Sequence, residues 1–263
     1  MSRNFGLIVV GDEILSGKRV DKHMPKVIEL LAARGLQLAW AEYVGDVPER
    51  ITAALVRAFA SGDIVISTGG IGATPDDHTR QCAAAALGVP LELHPEGKLL
   101  VQQRIQESAQ AEGHEADLDA PENLQRLRMA EFPAGAALIP NPYNRIPGFS
   151  VRDHHFVTGF PVMAWPMIAW VLDTHYASLF HQEARAELAV IVYEQAESTL
   201  TPLMERLEAR YPGVRVFSLP SVGDADTRRH IELGVKGDPV QVTPAFEEMC
   251  AELGRMAAEY QSL

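Results

Sequence analysis

Glycine and aspartate residues crowd one short stretch of the chain, STGGIGATPDDHT, at positions 67–79. Its glycines can adopt positive φ angles, which lets backbone amides approach a ligand closely. A helix predicted to begin near Asp76 would present free N–H groups to an anion such as phosphate, and Asp76 or Asp77 would cap that helix. The glycines are Gly69, Gly70 and Gly72. The stretch is also typical of a tight turn with an aspartate cap, so the residues alone leave both interpretations open.

Two more turns carry carboxylates directly after apolar runs. Gly11, Asp12 and Glu13 follow one run, and Asp46 follows another. The carboxyl ends of neighbouring parallel strands meet at one edge of a sheet, where open α/β sheets bind their ligands. Clustered carboxylates beside an anion site favour Mg²⁺, which binds through one or two carboxylates together with substrate oxygens. Neither the dinucleotide spacing G-x-G-x-x-G nor a P-loop lysine is present.

Apolar periodicity places these turns in an alternating pattern of strands and helices. Strands are predicted over 5–11, 36–46 and 63–67, and helices over 21–34, 48–61 and 76–88. The βαβα order predicts an α/β fold, in which helices cover both faces of a mostly parallel sheet.

The rest of the chain is less regular. The predicted elements are helices over 95–112 and 164–179, a loop over 113–123, and short strands over 135–161. Beyond these, the order βαββα predicts a small α+β domain with helices on one face of a mostly antiparallel sheet. We therefore predict two domains, residues 1–182 and residues 183–263.

The composition predicts a globular protein without nucleic-acid or membrane partners. Hydrophobic residues make up 47% of the 263 residues, and 35 acidic against 23 basic residues give a net charge of −12. Non-specific binding to nucleic acid or anionic lipid needs a basic surface. No apolar run reaches the roughly 20 residues that span a bilayer, and the first residues lack the zones of a signal peptide. We therefore predict a cytoplasmic location.

Four segments, in this order along the chain, resemble one known family. They are VVGDEILSG (9–17), VGDVPERI (44–51), STGGIGATPDDHTR (67–80) and LIPNPYNRIPGF (138–149). Residues 4–175 resemble the MoaB/Mog-like molybdopterin-binding domain found at the amino end of the competence/damage-inducible protein A (CinA) family. The part after 183 resembles the KH-like segment that follows in that family. The resemblance implies a three-layer MoaB/Mog-like domain with a mostly parallel sheet, followed by a small α+β KH-like domain.

The resemblance also implies which residues form the site. Asp46 and Asp77 match acidic residues of the family, and we expect them to act in catalysis and to hold Mg²⁺ or another divalent cation. Asp12 and Glu13 match the family's GDE motif, and the three glycines match a loop that lies against phosphate. The predicted ligand-binding residues are Gly11, Asp12, Glu13, Thr68, Gly69, Gly70, Gly72, Thr74, Asp76, Thr79, Asn141, Pro142, Gly148 and Gly159.

The activity implied by the resemblance has two forms. In molybdenum-cofactor enzymes of the superfamily the ligand is molybdopterin, and the chemistry is adenylyl transfer or metal insertion. In CinA relatives the same domain hydrolyses the pyrophosphate of ADP-ribose with a divalent metal. The predicted function is therefore to hold molybdopterin or another phosphorylated heterocyclic or nucleotide ligand. A divalent-metal-dependent nucleotide pyrophosphatase is the alternative.

Several positions depart from the family's pattern. They leave the phosphate end of the site intact and alter the other end. A changed ligand and binding without turnover therefore both stay open. The amidohydrolase domain of full-length relatives is not among the 263 residues, so deamidation of nicotinamide mononucleotide is not expected of them. The departures are Ala73 for proline, Asn144 and Arg145 for a Gly-Thr pair, Val162 and Met163 for serine and glutamate, and Asp21 and His23 for asparagines.

Five histidine or aspartate residues are candidates for further contacts with a ligand or a metal. Asp153, His154 and His155 are adjacent, but neighbours on a strand point to opposite faces. A hairpin turn with exposed polar residues is therefore favoured over a metal site there. His23 and His78 lie beside the site motifs and are candidate ligand contacts.

The predicted partners are a phosphate-bearing small molecule and further copies of the chain. The apolar segment FPVMAWPMIAWVL, at 160–172, exceeds what one short helix needs for its own core and predicts a homo-oligomer, a dimer or a trimer. The loop ARYPGV, at 209–214, lacks the G-x-x-G clamp of RNA-binding KH domains. Arg80 is expected either to neutralise phosphate charge or to be solvated at the surface.

Overall fold

Six strands form the main sheet of the first unit of the chain, Met1–Phe180. The computed structural model describes residues 3–182, 185–224 and 226–263. In chain order the elements of this unit are β1 (Phe5–Val10), α1 (Asp12–Leu15), α2 (His23–Ala32), β2 (Leu38–Val44), α3 (Pro48–Ser61), β3 (Ile64–Thr68), α4 (Thr79–Leu87), β4 (Leu91–Leu93), α5 (Pro95–Ala111), α6 (Pro121–Leu127), β5 (Glu131–Pro133), β6 (Ala137–Ile139), β7 (Gly148–Val151), β8 (His154–Val157) and α7 (Pro161–His175). The predicted alternation of strands and helices is confirmed.

The main sheet is mostly parallel, with the strand order β2-β1-β3-β8-β7-β6. β1 pairs in parallel with β2 and β3, β3 pairs in parallel with β8, and β7 is antiparallel to β8. The strands β1, β2 and β3 therefore end at the same edge, which we call the carboxyl edge, and the opposite edge is the amino edge. β1 and β3 are buried along their whole length, as expected for central strands that are covered on both faces.

Two apolar layers cover the sheet. On one face, α2 and α7 pack through residues that include Val27, Leu31 and Met167. On the other face, α3 and α4 pack through residues that include Leu55 and Cys82. The predicted three-layer α/β architecture is therefore confirmed.

Several helix boundaries differ from the prediction: α2 spans 23–32 and not 21–34, and α7 spans 161–175 and not 164–179. α4 begins at Thr79, and its N-cap His78 makes no side-chain capping hydrogen bond. Neither Asp76 nor Asp77 caps this helix, because the chain still forms a loop at both positions. The predicted loop over 113–123 contains the beginning of α6, which starts at a proline, whose missing N–H is tolerated at the first helical position.

The hairpin predicted around Asp153 is present, but the expectation that its histidines are exposed is wrong. His154 and His155 are each only 3% exposed. They point to opposite faces, as predicted: His154 packs on Phe59 with ring centroids 4.1 Å apart, whereas His155 contacts Tyr176. Both are buried because β8 lies between β3 and β7 inside the sheet, where helices cover both faces.

Helix α7 carries the predicted apolar segment. It buries Ala164, Met167 and Ile168 in the first core, whereas Phe160 and Val162 at its start are 55% and 57% exposed. Neither this helix nor any other in the described part of the chain is long and apolar enough to cross a membrane.

The second unit, His181–Leu263, contains an antiparallel sheet with the strand order β10-β11-β9-β12. Its elements are β9 (Ala186–Tyr193), α8 (Glu197–Arg210), β10 (Arg215–Ser221), β11 (His230–Gly237), α9 (Pro239–Arg255) and β12 (Tyr260–Ser262). Both helices share one apolar cluster with the strands. The predicted βαββα order is confirmed, and β12 is an addition. Residue 183, where the second domain was predicted to begin, lies outside the described residues.

Candidate ligand-binding site

Asp12 and Asp46 join the ends of β1 and β2 at the carboxyl edge. The amide of Asp12 donates to Asp46 Oδ2 at 2.8 Å, and the amide of Asp46 donates to Asp12 Oδ1 at 3.1 Å. The amide of Gly11 donates to the carbonyl of Val44 at 2.9 Å, and a Cβ on Gly45 would collide with Asp12 Oδ1. The two glycine-aspartate turns thus set two carboxylates side by side.

Two further carboxylates act on this pair. Burial raises the pKa of Asp46 above its usual range, and the charges of Asp12, Glu13 and Asp76 raise it further, while the hydrogen bond from the Asp12 amide opposes them. The pKa of Asp76 is itself lowered by nearby hydrogen-bond donors. Mutual repulsion among the carboxylates is a condition that a bound cation would relieve.

The glycine loop, residues 69–79, follows β3 directly. Gly69 and Gly70 have φ angles of 96° and 68°. A Cβ on Gly69 would collide with the carbonyl oxygen of Val10, and a Cβ on Gly70 would collide with Thr79 Oγ1. Thr79 closes this half of the loop, because its Oγ1 donates to the carbonyl of Gly69 at 3.0 Å and its amide donates to the carbonyl of Gly70 at 2.9 Å. Only glycine fits both positions.

Asp77 closes the other half of the glycine loop. Its Oδ2 accepts hydrogen bonds from the amide and the hydroxyl of Thr74, at 2.8 and 2.5 Å. A Cβ on Gly72 would lie 2.5 Å from the same oxygen. The structure therefore uses Asp77 to shape the loop, and the carboxylate that it sets directly beside Asp46 is that of Asp12.

Arg80 lies beneath the glycine loop and is only 2% exposed, so the expectation of a solvated surface arginine is wrong. Its guanidinium donates to the carbonyl of Gly72 at 2.5 Å and also to the carbonyl of Arg128. Burial lowers the pKa of Arg80 to about 10, against the opposing charge of Asp77. The buried cation ties the glycine loop to the segment that precedes β5.

Several buried polar atoms around the glycine loop have no hydrogen-bond partner among the described residues, and they include Ser67 Oγ, Thr68 Oγ1 and His23 Nδ1. His23 Nε2 lies 3.0 Å from the carbonyl oxygen of Gly159. A carbonyl only accepts, so Nε2 carries the proton and Nδ1 is left as an acceptor. A Cβ on Gly159 would lie 3.4 Å from Gly69 Cα, so the His23–Gly159 contact lies beside the loop.

The predicted residues between β6 and β8 have structural roles of their own. Asn141 is buried, and its Nδ2 donates to Asn144 Oδ1 at 2.8 Å. Gly148 begins β7, where a Cβ would collide with the carbonyl of Phe156. Pro142 is exposed. Contact between the ligand and Asn141, Pro142 or Gly148 stays a prediction.

Helices α3, α4 and α7 begin on segments that leave the carboxyl edge. Their N-cap residues make no side-chain capping hydrogen bond. The amides of a helix's first turn and the positive end of its dipole favour an anion, whereas the carboxylates nearby favour a cation. The combination suits a phosphate that is accompanied by a divalent cation.

The structure brings most of the predicted residues to the carboxyl edge. Within the described ranges no group of three metal-ligating side chains occurs, so a cation here would be held by two carboxylates and by ligand oxygens, which suits Mg²⁺. Sequence reasoning missed the unpartnered Ser67, which is adjacent to the predicted Thr68 on β3 and therefore points to the opposite face of the sheet. The acidic side of the site consists of Asp12, Glu13, Asp46 and Asp76.

A family model described as "Probable molybdopterin binding domain" matches residues 6–178. The chain belongs to this molybdopterin-binding domain family. The two glycine-aspartate turns and the glycine loop all lie within the matched range of the molybdopterin-binding domain.

Relatives that share this domain include CinA-like proteins, so the predicted CinA-like identity is confirmed. A CinA-like protein from Anaeromyxobacter sp. (strain K) is 34% identical over 254 residues, which cover 89% of this chain and 60% of the relative. A protein from Pyrobaculum calidifontis is 34% identical over 225 residues, which cover 84% of this chain and 82% of the relative. The crystal structure of a CinA protein of unknown function from Thermoplasma acidophilum is 27% identical with a TM-score of 0.55, and the match covers 65% of this chain and 97% of that one. The chain spans about half the length of the CinA-like relatives it matches.

Proposed function

We propose that the carboxyl edge binds a phosphorylated heterocycle of the molybdopterin or nucleotide kind. The observation that carries the proposal is the pair of unpartnered buried atoms Thr68 Oγ1 and His23 Nδ1 beside the glycine loop. Buried polar atoms are nearly always hydrogen-bonded, because leaving one unpaired costs about 1–3 kcal/mol. A ligand that offers both donors and acceptors would satisfy them.

The phosphate of this ligand would lie against the glycine loop. The amide of Gly69 already donates to the carbonyl of Val157, so we assign phosphate binding to amides further along the loop and to the first turn of α4. The buried guanidinium of Arg80, which donates to the carbonyl of Gly72, adds positive charge beneath the loop.

A second candidate function, divalent-metal-dependent hydrolysis of a nucleotide pyrophosphate, is favoured by the pairing of Asp12 and Asp46. Each carboxylate uses one oxygen to accept from the other residue's amide, which leaves its second oxygen for a cation. When bound, the cation would neutralise charge on the phosphate oxygens, and the chain's own residues would hold and orient the ligand. The role of Asp77 as a second metal ligand stays a prediction.

Incubation of the full chain with ADP-ribose and Mg²⁺, followed by chromatography of the products, separates the two functions. Release of AMP that stops when EDTA removes the metal supports the hydrolase. Saturable binding of a pterin or of ADP-ribose without product, measured by calorimetry, supports the binding function. Absence of both binding and product would contradict the site itself.

The homo-oligomer is proposed as well, and the exposed side chains of Phe160 and Val162 at the start of α7 support it. The cytoplasmic location stays a prediction from composition. So does the exclusion of nucleic acid as a partner, which follows from the net charge of −12.

A further inference from the structure

A polar recess lies at the amino edge of the sheet, opposite the glycine loop. The turn between β7 and β8 reaches this edge, because β8 runs parallel to β3 and follows that turn. The recess has a volume of about 410 Å³, and its polar lining includes Arg3, Ser150, Arg152, His155, His175 and Tyr176.

Four hydrogen-bonded steps connect the floor of this recess to its rim. Ser150 Oγ lies 2.8 Å from His155 Nδ1, and His155 Nε2 lies 2.6 Å from the hydroxyl of Tyr176. That hydroxyl donates to Asp153 Oδ1 at 3.1 Å. Arg3 in turn binds both oxygens of the Asp153 carboxylate, at 3.2 and 2.6 Å.

The direction of donation in each of these hydrogen bonds follows from the charged pair, Arg3 and Asp153, at one end. The hydrogen bond from Arg3 is the first cause that lowers the pKa of Asp153, so this carboxylate is ionised and only accepts. Tyr176 therefore donates to it and accepts from His155 Nε2–H. His155 Nδ1 then carries a lone pair, and the hydroxyl of Ser150 donates a hydrogen bond to it. The Ser150 oxygen is left to accept a hydrogen bond from the recess.

The same geometry argues against Ser150 as a nucleophile. Burial lowers the pKa of His155 to about 3, and a general base works best when its pKa lies near the working pH. A neutral imidazole of such low basicity orients the hydroxyl of Ser150 but does not take its proton efficiently. The arrangement is built to bind a group and not to attack it.

Arg3 keeps hydrogen-bond donors for a ligand. Its bonds to Asp153 use two N–H groups, and a guanidinium has five. Its side chain is 38% exposed, and Arg152 and His175 line the same recess. The guanidinium of Arg152, however, lies over the ring of Phe59, 5.9 Å from its centroid, on the side of His154 and not of His155. In a chain with a net charge of −12, the donors that Arg3 keeps make this recess a favourable place for an anion.

We propose that this recess binds a small metabolite that carries an oxyanion, a carboxylate or a phosphate, next to a hydroxyl or amine group. The oxyanion would accept hydrogen bonds from Arg3 and from the rim residues. The hydroxyl or amine would donate to Ser150 Oγ, whose own proton is committed to His155. Ser150 is only 8% exposed, so this second contact would select among anions that Arg3 attracts.

Histidine ring resonances in heteronuclear NMR spectra of the full chain test this proposal. The probes are inorganic phosphate, acetate and glycolate, of which the last two differ by one hydroxyl. We expect the rings of His155 and His175 to shift saturably, and glycolate to bind at least about threefold more tightly than acetate. Comparison of the phosphate and carboxylate titrations identifies the oxyanion. The rings of His23 and His78 report on the glycine loop in the same spectra, so the two sites succeed or fail separately.

Three variants complete the test, each checked by circular dichroism. Ser150→Ala should make the affinities for glycolate and acetate equal. Arg3→Gln should weaken binding of every probe at least about fivefold. Arg152→Asn is the control, because it removes a guanidinium that lies over Phe59, and it should leave the affinities unchanged. The substitution suits the backbone, since the φ angle of Arg152 is 53° and asparagine tolerates this region. Shifts that grow linearly with probe concentration, or that are the same in wild type and in Arg3→Gln, would overturn the proposal.

Discussion

Asp12 and Asp46 accept hydrogen bonds from each other's backbone amides, at 3.1 and 2.8 Å. The exchange holds two carboxylates together although their like charges repel, and the charges of Glu13 and Asp76 add to the repulsion that, after burial, raises the pKa of Asp46. Backbone geometry thus keeps an arrangement that side-chain electrostatics alone would disperse. A cation bound at this edge would turn the repulsion between the carboxylates into a net attraction to the cation.

Replacement of Asp46 separates its hydrogen bond from its charge. Asp46→Asn should change the free energy of unfolding by less than about 1 kcal/mol, because the amide oxygen still accepts from the Asp12 amide. Asp46→Ala removes the acceptor of an exposed hydrogen bond and should lower the free energy of unfolding further, by about 0.5–1.5 kcal/mol. Both variants should bind Mg²⁺ at least about tenfold more weakly, about 1.4 kcal/mol. Urea unfolding and Mg²⁺ titration check these values, and equal stability of the two variants would contradict the exchange.

Gly70 and Gly88 form a matched pair for testing the glycine loop. Their φ angles are 68° and 67°, so alanine at either position costs a similar backbone strain, roughly 1–2 kcal/mol. A Cβ on Gly88 meets nothing within 4 Å, whereas a Cβ on Gly70 collides with Thr79 Oγ1. We expect Gly70→Ala to weaken ADP-ribose binding at least about tenfold, and Gly88→Ala to leave it unchanged. Equal affinities in calorimetry would mean that the stretch is only a turn.

Local signals predicted the secondary structure well where a proline or a glycine marks each end of an element. Pro48 and Gly62 bound α3, and the predicted helix over 48–61 coincides with Pro48–Ser61. The start of α4 was placed too early, because Asp76 and Asp77 are both good capping residues. The sequence does not reveal that Thr74 competes for the Asp77 carboxylate.

Burial of polar residues was harder to predict, because it depends on contacts between distant segments. His154 and His155 are buried only because β8 pairs with β3, which lies some ninety residues earlier in the chain. Arg80 is buried because Arg128, 48 residues later in the chain, supplies a carbonyl. Glycines and acidic turns, by contrast, can be recognised from a few consecutive residues. The carboxyl edge could therefore be predicted from the sequence.

The buried histidines make stability depend on pH. Burial lowers the pKa of His154 to about 4 and that of His155 to about 3, from an ordinary value of 6.5. Below pH 6.5 the unfolded chain binds more protons, so stability should fall as the pH falls towards 4, by up to about 1.4 kcal/mol per pH unit for each histidine. Above pH 7 this contribution is constant. His154→Phe should reduce the wild-type slope between pH 6.5 and 5 by about half. Urea unfolding at several pH values measures both slopes, and an unaltered slope in His154→Phe would refute this account.

The exposed start of α7 predicts self-association. Phe160 and Val162 are 55% and 57% exposed, and clustered exposed apolar side chains are typical of interfaces. We expect light scattering at micromolar concentration to give a multiple of 28.8 kDa, a dimer or a trimer. Val162→Lys should shift the protein towards the monomer, while Val56→Lys, at a 48% exposed site on α3, should not. A constant mass of 28.8 kDa across the concentration range would refute the oligomer.

Asp77 has two possible roles, and its neighbour Thr74 separates them. If the carboxylate holds a divalent cation, Asp77→Asn should weaken Mg²⁺-dependent binding of ADP-ribose at least about tenfold, about 1.4 kcal/mol, because an amide does not replace a carboxylate for a hard cation. The melting temperature should change by only a few degrees, since the asparagine oxygen still accepts from Thr74. Thr74→Val keeps the carboxylate but removes the hydroxyl that donates to it at 2.5 Å, and should keep the Mg²⁺-dependent affinity within about threefold. Calorimetry of both variants, with and without Mg²⁺, measures the difference. A parallel loss in the two variants that does not depend on Mg²⁺ would assign Asp77 to the shape of the glycine loop alone, and would leave Asp12 and Asp46 as the carboxylates for the cation.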